Sequence, residues 1–375
     1  MDDHKTLLNL REFETAAAAR LPGMVFDYYA GGAGDEVTAR AAHDAWDAIS
    51  LRYRVLRDVS RRNLAVKVLG DDLAFPVMVA PMAFQRLAHP DGELATARAA
   101  AAMGAGMILS TLATTSIEDV RAAAKSPLWF QLYIYRDREA SRGLVERAER
   151  AGCTALVLTV DSPLLGRRER DARNGFHVGP EFTVPNLTGD PRAALAAAAA
   201  HGNPHGGNES ALARFVETHW DASISWRDVE WLRSITKLPV LVKGIVRGDD
   251  AVLALEHGAA GVIVSNHGGR QLDTAIDTAH ALHDVADAMA GRGALLVDGG
   301  IRRGTDVIKA LACGANAVLL GRPVLWGLAV GGMDGVKHAL QLLRDETDLA
   351  LALAGCRSCA ELTRDLLSFQ MVSKA

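Results

Sequence analysis

The chain is short of cysteine, of charge of one sign and of long apolar runs, and each shortage removes a class of function. Four cysteines in 375 residues cannot make a disulfide framework. Cys153 and Cys313 lie beside apolar segments, as small core residues do. Only Cys356 and Cys359 have metal or redox spacing, and no second Cys or His pair accompanies them. A net charge of -4 gives no reason to expect nucleic acid as a partner. No apolar run approaches the roughly 20 residues that a membrane helix needs. The start, Met1-Asp2-Asp3-His4-Lys5, lacks a basic region followed by an apolar core, so the protein is expected in the cytoplasm with no membrane partner.

What is present is an ordinary globular composition, 49% hydrophobic and 23% charged, which suits one large α/β domain over residues 1–375. From Phe75 onward short apolar runs alternate with Ala-rich helical stretches. The runs are Phe75 to Ala80, Met107 to Ser110, Leu128 to Tyr133, Ala155 to Val160, Pro239 to Lys243, Gly261 to Ser265, Ala294 to Asp298 and Ala317 to Leu320. Such βα units closing on themselves predict a (β/α)8 TIM barrel over about residues 75–355, preceded by an amino-terminal helical extension. A doubly wound sheet is the alternative, less favoured on strand count. After the fourth run comes a long insertion, about residues 174–222, with Pro180, Pro185, Pro191, Pro204 and the low-complexity run Ala193 to Ala200. Its place at one end of the barrel predicts a lid, and an idle Ala-rich excursion is the plain alternative. The Ala-rich helices are taken as exposed, which is compatible with self-association. Gly31-Gly32-Ala33-Gly34 follows helix-like sequence rather than a strand, so it reads as a turn carrying Tyr28 and Tyr29 toward the site, not as a dinucleotide fingerprint.

The stretch Ser265-Asn266-His267-Gly268-Gly269-Arg270-Gln271-Leu272-Asp273 places a base and a cation three residues apart, directly after the run Gly261-Val262-Ile263-Val264. An imidazole serves as general base near neutral pH, and a guanidinium forks onto a carboxylate. Other runs also finish in polar residues: Ser110, Gln131 with Tyr133, Thr159 with Asp161, Lys243, and Asp298. Polar groups at the carboxyl ends of barrel strands are catalytic candidates. Each alone reads as a satisfied structural group; together they do not. Asp298-Gly299-Gly300-Ile301-Arg302 and Gly321-Arg322 follow the last two runs, where barrels hold phosphate with glycine amides, helix amino ends and arginine. The plain alternative there is a pair of Gly turns with surface arginines.

The nonapeptide closely resembles the signature of the FMN-dependent 2-hydroxy acid oxidases and dehydrogenases, and the similarity runs from about Leu21 to Ser358, weakest between Asn174 and Ala222. It implies FMN as cofactor, with Pro81, Met82 and Ala83 bordering the flavin ring and Ser110, Gln131, Thr159, Lys243 and Ser265 hydrogen-bonding it. A fixed ammonium at Lys243 would stabilise reduced, anionic flavin. The phosphate falls to Asp298, Gly299, Gly300, Ile301, Arg302, Gly321 and Arg322. On the substrate side it implies Tyr28 and Arg270 as carboxylate clamp, Arg168 as second guanidinium, Tyr133 on the substrate hydroxyl, His267 as base and Asp161 as the carboxylate that orients it. Only the resemblance picks Tyr28 over Tyr29. No metal is implied.

The activity implied is oxidation of a small (S)-2-hydroxy acid to the 2-oxo acid. Leu112 stands where plant glycolate oxidases have tryptophan, and the stretches Gln85 to Pro90 and Arg170 to Phe176 look like those of bacterial mandelate or hydroxymandelate oxidases, which favours lactate-sized to aryl substrates over glycolate. No Cys-x-x-Cys-His haem site is present. Ala83, where certain dehydrogenases and monooxygenases of the family have glycine, leans to O2 as electron acceptor over a quinone. Relatives imply a homotetramer. Two rivals stay open: a flavin-free barrel performing isomerase or aldolase chemistry on a sugar phosphate with Lys243, which leaves His267, Arg270, Tyr28 and Tyr133 without a joint role, and a catalytically silent FMN-binding protein.

Overall fold

The computed structural model describes residues 3–179, 181–187 and 210–369. At its centre is a closed parallel barrel of β1 (Val77–Val79), β2 (Gly106–Leu109), β3 (Leu128–Leu132), β4 (Ala155–Thr159), β5 (Val240–Ile245), β6 (Gly261–Val264), β7 (Ala294–Val297) and β8 (Ala317–Leu320). Each apolar run of the sequence yields one strand, and β8 returns to pair with β1. The runs are buried throughout because both strand faces are covered: alternate residues face the barrel axis and the helices.

One inward residue per strand forms a packed apolar layer of Met78, Ile108, Trp129, Val157, Leu241, Ile263, Leu296 and Leu319. The residues between them, such as Val79, Leu109, Phe130 and Val264, join the larger core under the helices. A hairpin of Val66–Val68 and Asp71–Leu73 closes the amino-terminal end of the barrel. Its Val68 and Leu73 belong to the interior layer, and Asp71 accepts hydrogen bonds from the Trp129 indole and the Thr154 hydroxyl, both at 2.7 Å.

Helices Leu10–Ala18, Gly23–Ala30 and Val37–Asp47 make the amino-terminal extension. Strand Ile49–Leu51 pairs antiparallel with Leu367–Phe369, so the two ends of the chain are tied together. The Ala-rich helix Gly92–Met103 is not exposed, contrary to the expectation for such helices: Ala95, Ala97, Ala99 and Ala100 are buried, small side chains that let it lie close against its neighbours. Cys153 and Cys313 are buried as expected, and among the described residues no Cys, His and acid cluster could hold a metal. No described helix is long and apolar enough to cross a membrane. The insertion does leave after β4 and return before β5, and Pro180, Pro191, Pro204 and the alanine run, the middle of the expected lid, lie outside the described residues.

Truncating the plug tests its share in the barrel. Leu73→Ala, at a position 1% exposed, should cost about 2–5 kcal/mol, read as a lower urea midpoint.

Candidate active site

Side chains on a strand repeat every two residues. Two residues beyond the apolar layer stand Ala80, Ser110, Gln131, Thr159, Lys243, Ser265, Asp298 and Gly321, the next inward positions at the carboxyl ends of the strands. The strand alternation that packs the barrel therefore also delivers a polar ring at its mouth. This ring, except Ser265, lines a cavity of about 1150 Å³, counting its open side. The same cavity is lined by Tyr28, Pro81, Met82, Ala83, Tyr133, Arg168, His267 and Arg270, and by Gly299, Gly300, Ile301, Arg302 and Arg322. Asp161 and Ser265 stand one step behind the wall.

Ser265 is fully buried, and its hydroxyl oxygen accepts from Lys243 Nζ at 2.7 Å and from the His267 amide at 3.1 Å. It thus fixes two cavity groups rather than facing the cavity itself. Lys243 also pairs with Asp298 at 3.0 Å. The His267 backbone is left-handed, φ 58°, and Gly268 and Gly269 continue at 66° and 74°. At Gly269 a Cβ would lie 2.5 Å from the Ala39 amide, so glycine is what lets this loop meet the amino-terminal extension. Through that turn His267 swings toward β4, where Nδ1 lies 2.9 Å from Asp161 Oδ1. Nε2 has no partner among the described residues.

Burial alone would push the Asp161 carboxyl up; His267 and Lys243 outweigh it and hold it below the ordinary carboxylate range. Burial pushes His267 below its ordinary value, opposed by Asp161 and reinforced by Lys243 and Arg168. Both shifts agree on one state: ionised Asp161 accepting from Nδ1–H of a neutral imidazole, whose free Nε2 is a base.

Tyr28 and Tyr29 are distinguished by their hydroxyls. Tyr29 donates to the Phe84 carbonyl at 2.6 Å, whereas no backbone carbonyl takes the Tyr28 hydroxyl, which belongs to the cavity. Arg270 lies 5.1 Å from the Tyr28 ring centre; its Nη1 donates to the carbonyls of Tyr28, Tyr29 and Gly31, and its guanidinium also hydrogen-bonds the Tyr28 side chain. Those carbonyls belong to the end of helix Gly23–Ala30 and to the Gly31 turn, which is the turn the sequence suggested. Arg322 donates to the carbonyls of Tyr29, Gly31 and Gly268.

Four guanidinium groups, on Arg168, Arg270, Arg302 and Arg322, converge on this cavity, and none has a carboxylate ion pair among the described residues. Burial and their mutual repulsion push Arg168 down to about 10 and Arg322 to about 9, while burial pushes Arg302 to about 10. A buried cluster of cations without carboxylate ion pairs is a receptor for anions.

A flavin mononucleotide fits these residues. Gln131 Nε2, Thr159 Oγ1, Asp298 Oδ1 and Arg302 Nε are buried polar atoms without a protein partner, and all four belong to cavity-lining side chains. The carbonyls of Gly299 and Gly300 are held from outside the barrel by Trp46 Nε1 at 2.8 Å and His43 Nδ1 at 2.9 Å. A Cβ on Gly321 would meet nothing closer than 3.8 Å, which leaves the backbone open to a ligand.

Several site residues had no signal in the sequence. Leu165, from the loop after β4, and Leu212, Val216 and Trp220, from the insertion, line the cavity. Leu212 and Val216 sit four apart on helix Ala211–His219, a spacing that could have marked its inner face. Glu93, fully buried, accepts from the amides of Gln85 and Thr114 and the hydroxyls of Thr114 and Thr115 at 2.7–3.1 Å, tying the loops after β1 and β2. Removing one cation tests the anion receptor: Arg302→Met should weaken FMN retention about 10- to 100-fold, read by titration of the apoprotein with FMN fluorescence.

Residues 17–369 match the FMN-dependent dehydrogenase family. The chain is 50% identical over 364 residues to an L-lactate oxidase of Nostoc sp., with 96% of this chain and 98% of that one covered. It is 50% identical over 359 residues to glycolate oxidase 3 of Oryza sativa subsp. indica, covering 96% and 95%. A crystal structure of mandelate oxidase with (S)-4-hydroxymandelic acid superposes with a TM-score of 0.91 at 43% identity, over 97% of this chain and 99% of the other. With the barrel, the polar ring and the anion receptor in place, these matches establish that the chain belongs to the FMN-dependent dehydrogenase family and takes FMN as its cofactor.

Proposed function

We propose that the protein oxidises (S)-2-hydroxy acids with apolar side chains, from lactate-sized to aryl, to the 2-oxo acids. The observation that carries this reading is His267, held at Nδ1 by Asp161, with its free Nε2 in a cavity whose arginines have no carboxylate ion pair among the described residues. Arg270 and Arg168 receive the substrate carboxylate, with the Tyr28 hydroxyl beside them. The Tyr133 hydroxyl, its pKa raised by burial and by Asp161, stays protonated and donates to the substrate hydroxyl. The side chain of the acid lies among Leu112, Leu165, Leu212 and Val216, an apolar wall that gives a polar side chain no partner.

His267 Nε2 takes one proton from the substrate, and ionised Asp161 stabilises the resulting imidazolium through Nδ1–H. When bound, FMN would supply the two-electron acceptor for the oxidation, with O2 as the final oxidant. The ring would be held by Gln131, Thr159 and Lys243 beside Pro81, Met82 and Ala83, and the phosphate by the amides of Gly299, Gly300 and Gly321 with Arg302. Ser265 acts by holding Lys243, and Arg322 by holding the backbone around Gly31 and Gly268. The same reading takes the enzyme to be cytoplasmic and tetrameric. A flavin-free sugar-phosphate barrel is set aside by the family match.

Anaerobic absorbance spectra with (S)-lactate and (S)-mandelate test the reaction: flavin bands should bleach and recover when air is admitted. Recovery only with an added quinone would make the enzyme a dehydrogenase, and bands unmoved by either acid would refute the reading. His267→Gln should retain FMN and slow bleaching about 10²- to 10⁴-fold. Because only neutral His267 can accept the proton, and its folded value lies below the ordinary 6.5, kcat/KM should fall as pH drops through a value below 6.5. Asp161→Asn removes the group that raises that value, so the acid limb should move to still lower pH while the plateau drops; a limb that stays in place would show that His267 is not the titrating base.

A further inference from the structure

Tyr28 and Tyr133 come from opposite sides of the cavity, one from the amino-terminal extension and one from the end of β3. Each phenol ring is stacked by one aromatic residue of the insertion. Phe176 lies parallel to Tyr28, with ring centres 4.0 Å apart and planes 3° from each other. Trp220 lies on Tyr133 at 3.7 Å and 18°. Both partners are buried, at 1% and 4% exposure. They stand near the two ends of the same insertion.

Neither partner is loosely placed. The Phe176 amide donates to the Asp171 carbonyl at 2.8 Å, at the foot of helix Glu169–Arg173. That helix is itself tied to the extension by Arg170, which pairs with Asp27 at 3.2 Å and Glu36 at 2.7 Å. Trp220 forms an antiparallel bridge with Tyr135, two residues beyond Tyr133. The Asp221 amide donates to Ile134 at 3.0 Å, the Arg136 amide to His219 at 2.9 Å, and Arg136 Nε to the Trp220 carbonyl at 3.2 Å. The backbone that carries Tyr133 is thus hydrogen-bonded to the backbone that carries its stacking partner.

A tyrosine hydroxyl sits at the tip of a lever with two rotatable bonds, and a misplacement of about 1 Å at a reacting group can cost about 10²-fold in rate. Hydrogen bonds do not locate the Tyr28 or Tyr133 hydroxyls on the backbone, in contrast to the Tyr29 hydroxyl on Phe84. For Tyr133 ring stacking is the contact that fixes the plane, and for Tyr28 it acts beside the Arg270 guanidinium, which hydrogen-bonds the Tyr28 side chain; aromatic pairs contribute beyond simple burial.

We propose that Phe176 and Trp220 are positioning residues, through which the two ends of the insertion set the ring planes of Tyr28 and Tyr133 and aim their hydroxyls at the substrate carboxylate and hydroxyl. The inference rests on the hydroxy acid reading of the site. It assigns the insertion a direct part in orienting the chemistry, acting through two rings.

Double-mutant cycles separate positioning from bulk packing or apolar contact with substrate. kcat/KM is measured with whichever of (S)-lactate and (S)-mandelate bleaches the wild-type flavin faster, on W220L and W220M, in wild-type and Y133F backgrounds, with flavin content confirming the fold. Each Trp220 variant should lose about 3- to 10-fold in the wild-type background and less than about 2-fold in Y133F, where there is no hydroxyl left to aim. W220F, which keeps a ring, should recover most of the loss. F176L should behave alike against Y28F. Equal losses in both backgrounds, or no loss at all, would overturn the proposal, whereas wild-type protein that bleaches with neither acid would refute the underlying reading instead.

Discussion

Everything at this site depends on the two-residue period of strands in a closed barrel. Once eight inward side chains have filled the interior, the next inward positions have no space left to pack and only the mouth to face. Apolar residues there would leave a greasy hollow; this chain places Ser110, Gln131, Thr159, Lys243, Ser265 and Asp298 there. Stability and chemistry are consecutive layers of one register. A slip of a single residue in any strand would exchange a core side chain for a cavity one.

The electrostatics follow from the same placement. Residues at the mouth are deep enough to lose water, so burial and the neighbouring cations push Arg168, Arg322 and His267 down. The one internal pairing that matters, Asp161 with His267, joins the ends of β4 and β6 across β5. Lys243 lies on β5 between them and acts on both: it lowers the Asp161 carboxyl and disfavours the imidazolium.

Most of the fold and the barrel-borne part of the site could be read from residue order, because buried parallel strands are continuous apolar runs and their terminal polar residues stand out. Legibility failed where contacts are distant in sequence. Both Tyr28 and Tyr29 line the cavity, and what sets them apart is that the Tyr29 hydroxyl is spent on the Phe84 carbonyl, which no local pattern reveals. The protein partners of Ser265 and Arg322 were equally hidden: Lys243 and the His267 amide for the first, and backbone carbonyls for the second, which still lines the cavity. Nothing in the local sequence marks Glu93 as a hub of hydrogen bonds or Trp220 as a cavity residue. The carbonyl grip of His43 and Trp46 on Gly299 and Gly300 joins segments some 250 residues apart, as the separations of 257 and 253 show.

The hairpin beneath the barrel has a consequence for traffic. With Val68 and Leu73 seated in the interior layer, the amino-terminal end is corked and the barrel is a vessel with one neck. Whatever is bound, released or exchanged with solvent must use that neck, past the residues of the insertion that form its rim. Entry and exit are therefore governed by the same few side chains, and a change there that slows one slows the other.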